Sequence, residues 1–120
     1  MLGDSVRSIP SFHATHPRVS CDVWFIDGGH ERAVAEADAA AARAMSRRGA
    51  LVIFDDVLSH MANSHEGGPG GPHDAWEALL ASGAVFVRDT PGDVGATPSG
   101  LAVRGATLSG RYNGAMGWFT

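Results

Sequence analysis

The chain has 120 residues, 44% of them hydrophobic and 18% charged, which suits one compact domain and excludes a wholly disordered polypeptide. Nine basic residues against 13 acidic ones give a formal charge of −4, so there is no basic footprint for nucleic acid. The longest apolar run, Ala50 to Phe54, is far too short for a bilayer, and the N-terminus lacks the basic and apolar regions of a secretory signal. A cytoplasmic protein without a membrane partner is expected.

All nine basic residues are arginine, which excludes any chemistry needing a lysine from this chain, such as a P-loop or a pyridoxal Schiff base. Cys21 is the only cysteine, so an intrachain disulfide and a Cys-rich zinc site are excluded too. It is expected to be a small buried residue.

In chain order, Ser5 to His16 predicts a short helix with Val6, Ile9 and Phe12 on one side, limited by Pro10. Cys21 to Asp27 has a continuous apolar centre, the pattern of a parallel strand buried on both faces. Gly28-Gly29 breaks it. An Ala-rich helix follows from about His30 to Arg48, with Val34, Ala37, Ala41 and Met45 as its apolar stripe and Gly49 as its stop. Ala50 to Phe54 is a second apolar strand, closed by Asp55-Asp56. Strand, helix and strand make one βαβ unit, hence a parallel pair.

Ser59 to His73 is a polar, Gly/Pro-rich loop. The next helix is expected to start at Asp74 as N-cap, with Glu77 completing a capping box, Trp76, Leu79 and Leu80 inside, and Gly83 at its end. Ala84 to Val87 predicts a third strand and Leu101 to Val103 a fourth, antiparallel one. The Gly-rich tail from Gly105 receives no element.

Both clear strands end in acids, Asp27 and Asp55-Asp56. Parallel neighbours would bring three carboxylates to one sheet edge, where open α/β sheets bind ligands. Crowded carboxylates ask for a cation, and oxygen ligands favour Mg²⁺ before Ca²⁺ or Mn²⁺. The competing explanation is that these acids are turn formers and caps. His30, three residues past Asp27, is either a proton acceptor for a substrate hydroxyl or a first-turn residue facing water. His60, His65 and His73 fit no zinc spacing, and Gly67 to Gly71 lacks a dinucleotide-binding pattern.

Gly3-Asp4-Ser5, then Cys21-Asp22-Val23-Trp24-Phe25-Ile26-Asp27-Gly28-Gly29-His30, then Gly49 to Val57, resembles the class I S-adenosylmethionine-dependent methyltransferases. The nearest type is that with an F-I-D-G-x-H and D-D signature, related to metal-dependent O-methyltransferases. The resemblance implies a Rossmann-like α/β three-layer sandwich, present here as its second half. Its strands would be parallel 4 and 5, then 6 and 7 with an antiparallel edge. Residues 1–104 would be a partial methyltransferase domain lacking the glycine-rich half, and 105–120 a tail. Asp4 would contact the adenine amino group of S-adenosylmethionine beside Gly3 and Ser5. Asp27 would face the donor pocket and, with Asp55 and Asp56, hold a magnesium-like ion. Relatives of the catechol type place an amide where Asp56 stands and use a lysine near the metal, so His30 is the substitute base.

The implied activity is methyl transfer to a small-molecule hydroxyl. A chain with half of the donor site is expected to bind S-adenosylmethionine poorly on its own. It would also leave the edge of the Val23 to Ile26 strand bare, open to a second copy or a complementing chain. Two alternatives stand beside this. One is a non-catalytic half-domain or interaction module. The other is a GDSL-type esterase, since Gly3-Asp4-Ser5 and Asp27-Gly28-Gly29-His30 spell that family's blocks, with Ser5 as nucleophile, His30 as base and Asp27 as its orienter.

Overall fold

The two apolar runs pair as their composition demands. In the computed structural model, which describes residues 3–57, 71–87, 106–107 and 114–120, β1 (Cys21–Ile26) and β2 (Ser46–Phe54) are parallel neighbours. They run in register from Val23 opposite Leu51 to Ile26 opposite Phe54, and the pairing shifts between Cys21 and Val23. The crossover is helix α2 (Arg32–Ala44). This is the Rossmann-like α/β class the sequence predicts.

The crossover helix differs in extent and facing from its prediction. It stops at Ala44, four residues short of Arg48, because Met45 turns inward to 4% exposure and its carbonyl accepts the Cys21 amide. Ser46 Oγ closes the end by donating to the Ala42 carbonyl at 2.7 Å. The buried face is Ala35, Asp38, Ala39 and Ala42, while Val34, Ala37 and Ala41 are half-buried. Alanine packs on any face, so an Ala-rich helix carries little directional signal, and the short methyls let α2 lie close to its neighbours.

The other helices are also corrected in detail. Helix α1 (Ser5–Thr15) runs past Pro10, although the ring removes one amide donor. Asp4 caps it by accepting the Val6 amide at 3.1 Å. No residue of α1 is buried, and it leans on α2 across a shallow groove of ≈ 210 Å³ lined by Ile9, Pro10, Ala14, Ala41 and Met45. Helix α3 (Gly71–Ala81) starts three residues before Asp74. Pro72 suits a first turn because its missing amide has no helical partner there. Asp74 thus lies in the first turn, beside Arg32 of α2 at 3.6 Å. The Arg32 guanidinium, hydrogen-bonded to Glu36, is held above its ordinary pKa. Gly83, at φ +70°, ends α3 as predicted, with the Gly83 and Ala84 amides donating to Leu80 and Leu79 carbonyls.

Strand β3 (Val85–Phe86) falls inside the predicted third strand. The predicted strand at Leu101 to Val103 lies outside the described residues. A two-residue strand, β4 (Ala106–Thr107), pairs with β5 (Ala115–Phe119). The unassigned tail is therefore part of the sheet. β5 lies antiparallel between β2 and β3, so the antiparallel strand is internal rather than at the edge. Arg43 of α2 donates to the Thr120 carbonyl and lies 5.7 Å over the Phe119 ring, tying β5 to the helix layer.

The core lies between the sheet and α2 and α3. Val52, Phe54, Trp76, Ala115 and Phe119 are fully buried there, with Trp76 tilted against Phe54 at 5.7 Å. The opposite face carries a second apolar surface. The strand register aligns Val23, Leu51, Trp118 and Phe86 in one row and Phe25, Ile53 and Met116 in the next. Val23 is 59% exposed and Phe25 54%. The sheet and the described helices are thus two of the three layers expected, and among the described residues β1 is covered on one face only. No helix among the described residues is long and apolar enough to cross a membrane.

The tightest point in this core is Gly117. A Cβ there would overlap the Val85 side chain and stand 2.9 Å from the Phe86 carbonyl oxygen, which is backbone and cannot yield cheaply. Gly117→Ala is expected to cost about 1–3 kcal/mol, read as a fall in the thermal midpoint. Val23→Thr, on the uncovered face, is expected to change stability by less than about 0.5 kcal/mol.

Candidate functional site

The parallel register decides which strand-end residues meet. The last rung of the β1–β2 ladder is the Asp55 amide donating to the Ile26 carbonyl at 2.9 Å. Beyond it, Asp27 leaves β1 and Asp56 leaves β2 at the carboxyl edge of the sheet. The chain after Asp27 turns through Gly28-Gly29 and returns His30 to the same edge. One ligand atom each of Asp27, His30 and Asp56 lies within 4.8 Å of the others. His30 Nε2 is 3.0 Å from Asp56 Oδ2, both side chains being about 30% exposed. Asp27 is exposed.

Asp55 takes a different position from the one the sequence suggests. Its Oδ1 accepts the Asp56 amide at 2.8 Å, so this carboxylate shapes the turn and is not part of the three-residue group. Of the three acids expected to converge, two do, and an imidazole joins them. Two carboxylate oxygens and one imidazole nitrogen are a donor set that fits a divalent cation.

A groove of ≈ 220 Å³ opens beside this edge. Ser5 and Ile9 of α1, Trp24 to Gly28 of β1 and its turn, and Asp38 of α2 line it. Gly3 and Asp4 are exposed at the start of α1, with Asp4 engaged as its cap. Ser5 is half-buried in the groove wall. The esterase arrangement gains nothing here, since the Nε2 atom of His30 is turned to Asp56. Among the loop histidines, His73 is described and lies in α3, 3.3 Å from Asp74.

Two groove residues escape a sequence-level search. Asp38 is 8% exposed and its Oδ1 has no hydrogen-bond partner among the described residues. Trp24 Nε1 is buried and likewise without one among them. The signal for Asp38 is present in hindsight, as an acid interrupting the alanines of one face between Ala35 and Ala42. It also explains Gly28, where a Cβ would lie 3.0 Å from Asp38 Oδ2.

Residues 1–57 match the family model described as a methyltransferase domain. That match covers just under half of the chain, and the sheet is of the Rossmann-like α/β class. Among solved structures, the apo structure of CalS11, a TDP-rhamnose 3′-O-methyltransferase of calicheamicin biosynthesis, is similar at 18% identity with a TM-score of 0.55. A second CalS11 structure is similar at 18% identity and a TM-score of 0.54. The alignments cover 98% of this chain but 38% and 35% of the CalS11 chains, so the chain spans under two-fifths of their length. Comparison with curated proteins gives no match.

Asp56 holds a left-handed backbone, at φ +57°, the one described non-glycine residue with positive φ. Such a conformation is costly for a residue with a Cβ and recurs where a side chain must be aimed. Asp56→Gly is therefore expected to keep or raise stability, by up to about 1 kcal/mol. The same change removes the carboxylate that meets His30. A fall in the thermal midpoint on this substitution would show that the side chain's contacts outweigh its strain.

Proposed function

We propose that the chain supplies the metal- and acceptor-side part of an S-adenosylmethionine-dependent methyltransferase acting on a small-molecule hydroxyl. The observation that carries this is the convergence of Asp27, His30 and Asp56 at the carboxyl edge of a parallel pair, inside the segment that matches a methyltransferase domain. CalS11 methylates a sugar hydroxyl, and an acceptor of that general chemistry, an alcohol on a small molecule, suits a cation at this edge.

In this reading Asp27 and Asp56 are the protein ligands, consistent with a hard cation that keeps water and substrate oxygen in its other positions. Magnesium or manganese, when bound, would polarise the acceptor hydroxyl and lower its pKa. His30 would receive the hydroxyl proton at Nδ1, because its Nε2 faces the Asp56 carboxylate at 3.0 Å, and that carboxylate would stabilise the imidazolium that results. S-adenosylmethionine, when bound, would supply the methyl group to the acceptor oxygen and leave as the neutral thioether. In this reading Gly3, Asp4, Ser5 and Asp27 would serve the donor, and of these Ser5 and Asp27 line the groove. The ≈ 220 Å³ groove is smaller than the roughly 300–1,000 Å³ usual for a whole ligand of drug size. It therefore takes part of the donor.

Manganese titration followed by electron paramagnetic resonance tests the ligand assignment on the chain itself. Asp27→Asn and Asp56→Asn are each expected to weaken binding about tenfold or more, while His30→Gln changes it much less. Wild-type affinity in both Asp variants overturns the cation site. S-adenosylmethionine is expected to bind the isolated chain more weakly than micromolar, and a micromolar dissociation constant for a monomer in calorimetry would overturn the division of the donor site.

A second reading rests on the exposed Val23 and Phe25 of β1, whose outer edge pairs with no other strand among the described residues. An apolar edge of this kind recruits another strand, from a second copy or a complementing chain. Sedimentation is expected to show self-association that Val23→Lys weakens. A concentration-independent monomer would count against it.

A further inference from the structure

We infer that β1 pairs antiparallel with β1 of a second copy of this chain, about a two-fold axis at Trp24, with Val23 of each copy opposite Phe25 of the other. The inference rests on the edge reading above and fixes its occupant and its register. The backbone narrows the choice. The Ile26 carbonyl points toward β2, where it accepts the Asp55 amide. Backbone groups alternate in direction along a strand, so the N–H and C=O of Phe25 and of Val23 point to the outer edge. The pairing with β2 shifts between Cys21 and Val23, so the regular stretch runs from Val23 to Ile26. Setting Val23 opposite Phe25 joins every outward group of these two residues across the axis. Setting Val23 opposite itself places Phe25 against the irregular start of β1, and setting Phe25 opposite itself places Val23 against Asp27, beyond the strand.

Side chains and charge agree with this register. Val23 and Phe25 are the two most exposed large apolar side chains among the described residues. Their pairing continues the row of Phe86, Trp118, Leu51 and Val23 into the row of Phe25, Ile53 and Met116 of the second copy. A slip of one residue sets the open face of one copy beside the helix layer of the other. A parallel pair would set Asp22 beside Asp22 and Asp27 beside Asp27, and like charges directly opposite are destabilising. The antiparallel pair instead brings Asp27 to the start of the other β1, the end at which Arg18 lies. It also carries the two Asp27, His30 and Asp56 groups to opposite ends of the joint, so neither obstructs the other. A strand edge with two side chains buries less than the roughly 800 Å² per partner of a standard interface, so the dimer is weak, with a dissociation constant on the order of 10–100 μM.

Disulfide trapping of the full chain reads the register. Val23→Cys and Phe25→Cys are made separately in a Cys21→Ser background, with tags of different mass, and oxidised alone and as a mixture. Residues opposite in a hydrogen-bonded pair have Cα atoms about 5.5 Å apart, within disulfide reach, whereas diagonal neighbours lie beyond it. The mixed Val23→Cys and Phe25→Cys dimer is expected to exceed either single-variant dimer by about fivefold or more. A preference for either single-variant dimer, or equal yields of all three, overturns the register while leaving the edge reading intact. A second measurement needs no substitution. In a mixture of differently isotope-labelled wild-type chains, filtered nuclear Overhauser spectra are expected to show contacts between Val23 methyls of one copy and the Phe25 ring of another. Their absence from a sample that sedimentation shows to be associated overturns the register. A wild-type chain that stays monomeric at all concentrations overturns both the register and the edge reading.

Discussion

Everything at the candidate site depends on the parallel pairing of β1 with β2. Four in-register residue pairs and the final Asp55-to-Ile26 hydrogen bond bring two strand ends out at the same level. Slipping that register by one residue would flip every side chain to the other face of the sheet. Val52 and Phe54 would exchange places with Leu51 and Ile53, emptying the core, so burial on one face locks the positions of Asp27 and Asp56 on the edge. The packing that stabilises the sheet and the geometry that gathers the polar groups are therefore one constraint.

That constraint is also why the βαβ unit was legible. Unbroken apolar runs such as Trp24 to Ile26 and Leu51 to Phe54 have few ways to leave water, and a glycine pair or an acid pair marks where each stops. Legibility fails where side chains carry no direction. The alanines of α2 fit against the sheet on any face, so the inward side of that helix was set by tertiary packing. β5 escaped because Gly117 reads as a loop residue, whereas here the missing side chain lets Val85 and Trp76 close over the strand. At the site, the strand-end acids and His30 could be named from the sequence. The turn that diverts Asp55 to the Asp56 amide could not, since both residues are the same type and differ only in backbone conformation.

The two faces of the sheet express different degrees of completion. On one, Trp76, Phe54 and Phe119 interlock with the helices. On the other, rows of residues from β1, β2, β5 and β3 present aliphatic and aromatic groups without a described covering layer, with Phe86 stacked on Trp118 at 5.8 Å. Sheets built from parallel strands usually bury both faces. The composition of β1 and β2 thus suits strands covered on both faces, and the described residues cover one of them.

The distribution of indoles has a practical consequence. The chain has three tryptophans, and each occupies a distinct setting. Trp76 is sealed in the core, Trp24 borders the groove with its nitrogen buried, and Trp118 is half-buried on the open face. Intrinsic emission therefore carries three separable reports. A collisional quencher such as iodide reaches the aromatic pair on the open face before it reaches the core, so progressive quenching resolves coverage of that surface from events elsewhere without any added dye.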